Sequence, residues 1–231
     1  VYQQAVYDNI SFGTSNLVID AVAGSGKSTT IVNALKLIPE NFTVLFLAFN
    51  KAIVEELSLK IGNQSNVTVK TLHSLGASAV LKTFKSVLDN SKYNTYISDA
   101  IKFGSIKPSF ELVEEENLDY KQNIVKLVDL CRAYLCSDLN TLSGIAEKYL
   151  INLIDNELEM ALNVVSWGKN NTTKIDFTDM IFLPNVKKLE MQKFDFVFID
   201  ECQDLNTAQR ELFLQTLNPT GRFIAVGDPR Q

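Results

Sequence analysis

The sequence lacks any apolar run long enough to cross a lipid bilayer. Its longest apolar runs, Val44 to Phe49 and Phe194 to Ile199, have the length of β-strands, whereas a transmembrane helix needs about 20 apolar residues. The N-terminus also lacks the basic segment and apolar core that mark a secretory signal. These absences predict a cytoplasmic, intracellular protein without membrane contact.

Cysteine and histidine are too scarce to suggest a disulfide framework or a structural zinc site. The three cysteines, Cys131, Cys136 and Cys202, form an odd set without CxxC spacing. The single histidine, His73, leaves few ligands for zinc. We therefore expect three reduced thiols.

An excess of positive charge is also missing. The formal net charge is −5, because 27 acidic residues outnumber 22 basic ones. Such a balance excludes a uniformly basic protein that coats nucleic acid, so any binding of this kind needs a local groove or another domain. The composition, which is rich in Asn, Lys and Ile and poor in Pro, suits a phage or an AT-rich genome.

The chain nevertheless has what a folded α/β core requires. Hydrophobic residues make up 46% of its 231 positions, enough for one large domain or one domain with an insertion. Five apolar or β-branched runs bounded by turn residues predict strands, and helical patterns lie between them. The runs are Leu17–Ala21, Val44–Ala48, Val67–Val69, Phe194–Ile199 and Phe223–Val226, with a helix predicted over Thr207–Leu217. This alternation favours a parallel sheet flanked by helices.

The middle of the chain has a different pattern. From about Phe84 to Ser166 the periodicity is helical, clearest over Tyr120–Leu135 and Leu142–Val165, with an acidic stretch around Glu111 to Asp119. We interpret this as an all-helical insertion subdomain. The predicted organisation is therefore a core over 1–83, the insertion over 84–166, and the rest of the core over 167–231.

A glycine-rich segment follows the first predicted strand and opens a helix. It runs from Ala21 to Ser28 and matches the GxxxxGK[ST] phosphate-binding loop, with Ala21 at its first position. Gly24 and Gly26 allow the backbone N–H groups to turn toward phosphate oxygens, helped by the helix N-terminus. The predicted phosphate and nucleotide ligands are Ala23, Gly24, Ser25, Gly26, Lys27, Ser28 and Thr29. The alternative is an ordinary glycine-rich turn with a solvated lysine.

Two consecutive carboxylates, Asp200 and Glu201, end the buried strand Phe194–Ile199. Ligands bind at this edge of a parallel sheet. Asp200 and the Ser28 hydroxyl are candidates to hold Mg²⁺, and Glu201 is the candidate base for an attacking water. The alternative reading makes these carboxylates solvated turn residues and helix caps.

The strand Phe223–Val226 also ends in polar residues. Gln231 is a candidate to sense a γ-phosphate, and Asp228 to support the metal or orient Gln231. By itself, however, Gly-Asp-Pro is simply a turn.

Taken together, these segments resemble the motifs of superfamily 1 helicases of the UvrD/Rep type, in the family's order over almost the full length. AVAGSGKST resembles motif I, FLAFNKAIVEEL motif Ia and TLHSLG motif Ib. DFTDM, from Asp176, resembles the segment before motif II, although Asp176 and Asp179 are more simply turn and cap residues. DECQD is similar to motif II and VGDPRQ to motif III.

The resemblance implies a RecA-like P-loop NTPase fold that uses ATP and Mg²⁺, with Lys27, Asp200, Glu201 and Gln231 as catalytic residues. VYQQAVY looks like the family's adenine-reading glutamine motif, with Gln3 as first choice and Gln4 as second. Resemblance also places single-stranded DNA against Phe49, Asn50, Thr71 and His73, and these residues themselves leave RNA open. In the plainer reading Phe49 is core and His73 a helix cap.

The implied function is the ATP-binding motor domain of an ATP-dependent DNA helicase or translocase, with 3′ to 5′ polarity, acting in replication, repair or recombination. Family members carry a second RecA-like domain, which this chain lacks, so we expect the chain alone to hydrolyse ATP very slowly. The alternative is a nucleotide-dependent nucleic-acid-binding or scaffolding module with little catalysis. An unrelated P-loop kinase lacks support from motifs Ia, Ib and III.

Overall fold

The structure, a computed structural model, describes residues 2–21, 27–62, 64–228 and 230. Within these residues the chain forms two compact units. One, the sheet unit, comprises Val1–Leu75, Glu190–Leu205 and Gln209–Gln231; the other, the helical unit, comprises Gly76–Leu189 and Asn206–Ala208. The helical unit is wider than the predicted insertion over 84–166, and those predicted limits stay a prediction.

The central sheet lies in the sheet unit and consists of five parallel strands. Their bounds are β1 (Leu17–Asp20), β2 (Val44–Ala48), β3 (Val67–Thr71), β6 (Phe194–Ile199) and β7 (Leu217–Gly227). The order across the sheet is β1-β7-β6-β2-β3. Two further short strands, β4 (Val87–Leu88) and β5 (Lys174–Ile175), pair with each other in the helical unit. The predicted parallel sheet flanked by helices is confirmed.

One helix precedes β1, and one helix follows each of β1, β2, β3 and β6, the last four as the alternating pattern predicted. They are α1 (Tyr2–Phe12), α2 (Lys27–Leu35), α3 (Lys51–Ile61), α4 (Leu72–Phe84) and, after the 3₁₀ turn η1 (Cys202–Asp204), α10 (Thr207–Leu214). All five residues of β2 are buried, which is why the strand reads as an unbroken apolar run. Phe46 and Phe198 stack face to face with ring centroids 6.3 Å apart. Apolar residues of α2 and α3, such as Leu35 and Leu57, complete this core.

The last strand is longer than predicted. β7 begins at Leu217 rather than Phe223, and its pairing with β6 shifts register between Phe194 and Phe196. The segment Asn-Pro-Thr-Gly inside β7 looks like a turn in sequence, but it forms this irregular start of the strand. A Cβ at Gly221 would lie 2.9 Å from the Phe194 carbonyl oxygen, so the close approach of the two strands requires glycine.

The helical unit contains α5 (Lys92–Lys102), α6 (Glu114–Tyr134), α7 (Leu139–Lys148), α8 (Glu157–Asn170) and α9 (Phe177–Val186). The helix predicted over Tyr120–Leu135 begins earlier than expected, because Glu114 to Glu116 form the first turn of α6, where carboxylates suit the helix dipole. The segment Leu142–Val165 is not one helix as predicted, because Leu150 adopts a positive φ of 51° and the Glu157 carboxylate accepts the N–H groups of Ile154 and Asp155.

A buried ionic cluster joins three helices of this unit. The Asp179 carboxylate accepts hydrogen bonds from Lys92 Nζ at 2.7 Å, from Tyr93 Oη at 2.7 Å and from Arg132 Nη1 at 3.3 Å. Arg132 Nη1 also donates to both oxygens of Asp176, each at 2.8 Å. Asp176 is the N-cap of α9, as the turn-and-cap interpretation predicted. The carboxylates of DFTDM therefore have a structural role inside the helical unit.

In the part of the chain that the structure describes, no helix combines the length and the apolarity that crossing a membrane requires.

Candidate nucleotide and nucleic-acid site

Several predicted site residues lie along one edge of the sheet, in the part of the sheet unit that the structure describes. Because all five strands are parallel, their carboxyl ends meet at this edge. Register fixes the neighbours: Asp20 of β1 pairs with Gly227, and Ala48 of β2 pairs with Thr71. In sheet order, this edge carries first the end of β1, which leads into the predicted phosphate loop, then Gly227 of β7, and then Asp200 and Glu201 after β6. Next come Phe49 and Asn50 after β2, followed by Thr71 to His73 at the end of β3.

The predicted phosphate-binding segment leaves β1 beside the end of β7. The Ala21 N–H donates to the Gly227 carbonyl at 3.0 Å, and the chain re-enters at Lys27, the first residue of α2. Predicted ligands Ala23, Gly24, Ser25 and Gly26 lie outside the described residues, as do the side chains of Lys27 and Ser28. Thr29 is exposed in the first turn of α2. The helix N-terminus after β1 provides the positive dipole end that a phosphate needs.

The two candidate adenine-reading glutamines differ in their contacts. Gln3 Nε2 donates to the Thr30 hydroxyl of α2 at 3.0 Å. Gln4 Nε2 instead donates to Asp8 within its own helix at 2.8 Å. Gln3 therefore contacts α2, the helix that follows the predicted phosphate loop, and the choice between the two glutamines stays a prediction.

Asp200 and Glu201 leave β6 in an unusual backbone geometry. Glu201 has φ 50° and ψ 47°, in the left-handed region, which costs a non-glycine residue about 1 to 3 kcal/mol. Asp200 Oδ1 accepts the Glu201 N–H at 3.0 Å. Two adjacent carboxylates therefore follow β6 in a strained turn, and strained backbone of this kind often clusters at functional sites.

The predicted Asp228 and Gln231 follow β7. Asp228 is buried, and its Oδ1 accepts the Arg230 N–H at 3.0 Å, so the carboxylate closes a turn. Gln231 lies outside the described residues. The bond to the Arg230 N–H is of the kind that the turn interpretation predicts, and the metal-supporting role of Asp228 stays a prediction.

The other half of the edge carries the candidate nucleic-acid contacts. Phe49 is 62% exposed, so the core interpretation of this residue was wrong. Asn50 caps α3 by accepting the Ile53 N–H at 2.9 Å. Thr71 Oγ1 accepts the Ser74 N–H at 3.1 Å. Both caps use acceptor atoms only, so the amide and hydroxyl hydrogens stay suited to donate to phosphate.

His73 lies in the first turn of α4 and is half-buried. Burial lowers the pKa of its imidazole below the usual 6.5. A neutral ring can donate one hydrogen bond to a phosphate but carries no charge to attract it.

One residue of this edge was missed from the sequence. The Gln203 side chain contacts both the Glu201 carboxylate and the backbone of Asp228. Its position inside DECQD was the available signal, but the contact with Asp228 depends on β6 lying beside β7, which no local pattern reveals.

Comparison with known proteins shows the family to which the chain belongs. The family model for the UvrD/REP helicase N-terminal domain matches residues 3–231. The chain is 24% identical over 254 residues to the ATP-dependent DNA helicase Rep of Escherichia coli strain K12, covering 99% of this chain and 35% of that protein. It is 25% identical to the ATP-dependent DNA helicase PcrA of Staphylococcus aureus strain Mu50, covering 93% of this chain and 31% of that protein.

A vertebrate protein is similar as well. The F-box DNA helicase 1 of Gallus gallus is 26% identical over 223 residues, which cover 92% of this chain and 21% of that protein. The chain thus spans about a third or less of the length of these curated relatives.

Proposed function

Because the chain belongs to the UvrD/REP helicase N-terminal domain family, we propose that it is the ATP-binding motor domain of an ATP-dependent helicase or translocase that acts on single-stranded DNA. The polarity of 3′ to 5′ and a role in replication, repair or recombination are part of this proposal and rest on the family resemblance.

The order of groups along the sheet edge carries the proposal. Neighbouring strands lie about 4.8 Å apart, so the phosphate-loop strand β1 and the carboxylate strand β6 are separated by roughly 10 Å. A triphosphate with its cation suits a gap of this size. The candidate polymer contacts at β2 and β3 lie on the far side of β6. One edge therefore has a nucleotide half and a polymer half, with Asp200 and Glu201 between them.

Each residue of the nucleotide half is proposed to have its own chemical role. Glu201 is proposed to accept the proton of the attacking water, and Lys27 to neutralise charge on the β- and γ-phosphates. The hard oxygen ligands at Asp200 and Ser28 fit Mg²⁺, which prefers one or two carboxylates or hydroxyls together with phosphate oxygens. When bound, the cation would offset the charge that develops on those oxygens.

The polymer half is proposed to bind the strand by stacking and neutral hydrogen bonds. The exposed Phe49 ring presents a face for a base. Asn50, Thr71 and His73 supply hydrogen-bond donors for phosphate oxygens.

The chain alone is proposed to bind ATP and turn it over very slowly. In this family a second RecA-like domain completes the ATP site, and arginines from such partners are typically worth about 10³- to 10⁵-fold in rate.

The test uses a fluorescent ATP analogue with Mg²⁺, titrated into this chain with and without a single-stranded DNA oligomer, while phosphate release is followed. Lys27→Ala is expected to abolish analogue binding, and Phe49→Ala to weaken DNA binding by about 1 to 3 kcal/mol. Lys36→Ala, an exposed lysine just after the other end of α2, is the matched control and should change neither.

Each failure has its own meaning. Analogue binding that survives Lys27→Ala would contradict the phosphate-loop assignment and favour the alternative of a scaffolding module. Rapid phosphate release by this chain alone would contradict the need for a second domain.

A further inference from the structure

The 3₁₀ turn after β6 is packed directly against the end of β7. A Cβ built on Gly227 would lie 2.5 Å from Gln203 Oε1 and 2.9 Å from Cys202 Sγ. Any larger residue at position 227 would therefore displace the side chains of Gln203 and Cys202 from their present positions. The close approach brings the segment that carries Glu201 against the backbone that leads into Asp228.

Gln203 bridges these two segments through opposite ends of its amide. Oε1 accepts the Asp228 N–H at 3.1 Å. Nε2 donates to the Glu201 carboxylate at 2.9 Å and approaches Asp204 Oδ2 at a longer 3.5 Å. An N–H needs an acceptor and a carboxylate needs a donor, so both contacts fix the amide in one orientation.

No other common side chain of this length satisfies both partners at neutral pH. A glutamate at position 203 could still accept from the Asp228 N–H, but it would place a second negative charge against Glu201. An alanine would remove both contacts. The bridge is thus specific to a carboxamide.

The hydrogen bonds of Gln203 also hold a side chain that the local backbone does not orient. Glu201 lies in the left-handed region, outside any helix or strand that would orient its side chain. The Asp228 carboxylate in turn accepts the Arg230 N–H. The amide therefore connects the candidate base to a turn that is itself held by a hydrogen bond.

From this geometry we propose that Gln203 is a positioning residue for ATP hydrolysis. It holds the Glu201 carboxylate in a fixed orientation and couples that carboxylate to the backbone at the end of β7. The role rests on the proposed function, since it needs Glu201 to be the base. Gln203 acts through Glu201 and need not touch the nucleotide.

The experiment measures DNA-stimulated ATP turnover in the native polypeptide that contains these residues, for Gln203→Ala, Gln203→Glu, Glu201→Gln and the double variant Glu201→Gln with Gln203→Ala. A hydrogen bond to a charged group corresponds to roughly a 10- to 100-fold change. Both Gln203 variants are expected to lower kcat by about that factor with little change in KM for ATP. Gln192→Ala, an exposed glutamine of the same unit, is the control and should retain the parent rate.

The double variant separates positioning from general stability. If Gln203 acts through Glu201, adding Gln203→Ala to Glu201→Gln lowers kcat no further. Additive losses, or a fall in kcat that merely follows a lower unfolding midpoint, would overturn the proposal. Gln203→Glu keeps the side-chain size and the contact with Asp228, so it tests the Glu201 contact even if Gln203→Ala fails to fold.

The same variants distinguish the positioning role of Gln203 from the assignment of Glu201 as the base. If Glu201→Gln leaves turnover unchanged, the base assignment is wrong and the positioning role falls with it. If Glu201→Gln is slow while both Gln203 variants match the parent, only the positioning role is overturned.

Discussion

At the scale of single residues, the buried carboxylate of Asp179 holds together donors from two other helices. Burial by itself would lower the pKa of Arg132. The nearby Tyr93, Asp176 and Asp179 have the opposite effect and raise this pKa above its usual value. Burial raises the pKa of the Tyr93 hydroxyl, which therefore stays a donor. Charges taken out of water in this way are tolerated only while their partners remain.

Asp179→Asn should therefore destabilise the helical unit strongly. The change keeps the shape but leaves Lys92 and Arg132 with too little negative charge, at an expected loss of about 3 to 5 kcal/mol in the free energy of unfolding. Urea unfolding followed by the fluorescence of Trp167 measures this, because Trp167 is the single tryptophan and packs on Tyr93.

The matched control is Asp119→Asn, an exposed carboxylate of the same unit, which should stay within about 0.5 kcal/mol of the parent. A loss below about 1 kcal/mol for Asp179→Asn would show that the cluster tolerates the missing charge, contrary to the penalty expected for buried ions.

His73 gives a second prediction at this scale, on pH. Its folded-state pKa lies below the unfolded value of about 6.5, so the unfolded chain binds more protons between these two values. Stability should consequently rise with pH up to about 6.5 and level off above it. His73→Gln should remove this part of the pH dependence. The NMR titration of the single imidazole, expected below 6.5, provides the direct check.

The same titration probes the nucleic-acid contact. A phosphate beside the ring favours the charged form, so a single-stranded oligomer should raise the pKa of His73. An unchanged titration with DNA bound would place His73 outside the polymer contact.

At the scale of elements, α1 depends on a guanidinium from β7. Arg222 Nη1 donates to the Asn9 and Gly13 carbonyls at the end of α1, and Nη2 donates to Asn9 Oδ1 at 2.7 Å. Arg222 is buried, and burial lowers its pKa. The helix that carries Gln3 is therefore anchored to the sheet through its C-terminal end.

Arg222→Met should loosen this anchor. We expect faster hydrogen exchange of the α1 amides and, if Gln3 reads adenine, a loss of roughly 5- to 30-fold in affinity for the ATP analogue, equivalent to about 1 to 2 kcal/mol. Arg210→Met is the control, because Arg210 is exposed and forms an ion pair at 3.3 Å with its neighbour Glu211. Unchanged exchange in α1 would show that other contacts hold the helix.

The bounds of an element could be predicted from the sequence where a local residue pattern alone determines them. β2 and β6 have the predicted bounds because their apolar runs are buried between turn residues. The break between α7 and α8 was missed because it uses no glycine or proline; it depends on Leu150 with positive φ and on Glu157 bonding to preceding N–H groups. Such signals appear only once the chain has folded back on itself.

The candidate site likewise contains residues that a local pattern marks and a residue whose partner is brought near only by folding. Asp200 and Glu201 were proposed as site residues because they directly follow a strand, and the carboxyl ends of parallel strands share an edge. Phe49 was proposed only through the family resemblance. Gln203 was missed because its partner Asp228 is distant in sequence and becomes a neighbour only through the order β6-β7.

At the scale of the whole molecule, the net charge of −5 limits how the chain can bind a nucleic acid. The candidate contacts Asn50, Thr71 and His73 bring no full positive charge at neutral pH. Beside them, Lys51 begins α3 and Lys70 lies next to Thr71 in β3. Binding by a protein of this charge should therefore release few counterions.

The salt dependence of binding tests this directly. Each neutralised phosphate of a single strand contributes about −0.7 to the slope of log K against log salt, so two lysines predict a slope of roughly −1.4. Lys51→Gln and Lys70→Gln should each reduce the slope by about 0.7, whereas Lys36→Gln should not.

Phe49→Ala should instead lower the affinity at every salt concentration without changing the slope, because stacking releases no counterions. Fluorescence anisotropy of a labelled oligomer between about 50 and 200 mM salt measures all four variants. A much steeper slope in the parent would mean that basic residues elsewhere on the chain carry the binding, and the polymer half of the sheet edge would lose its assignment.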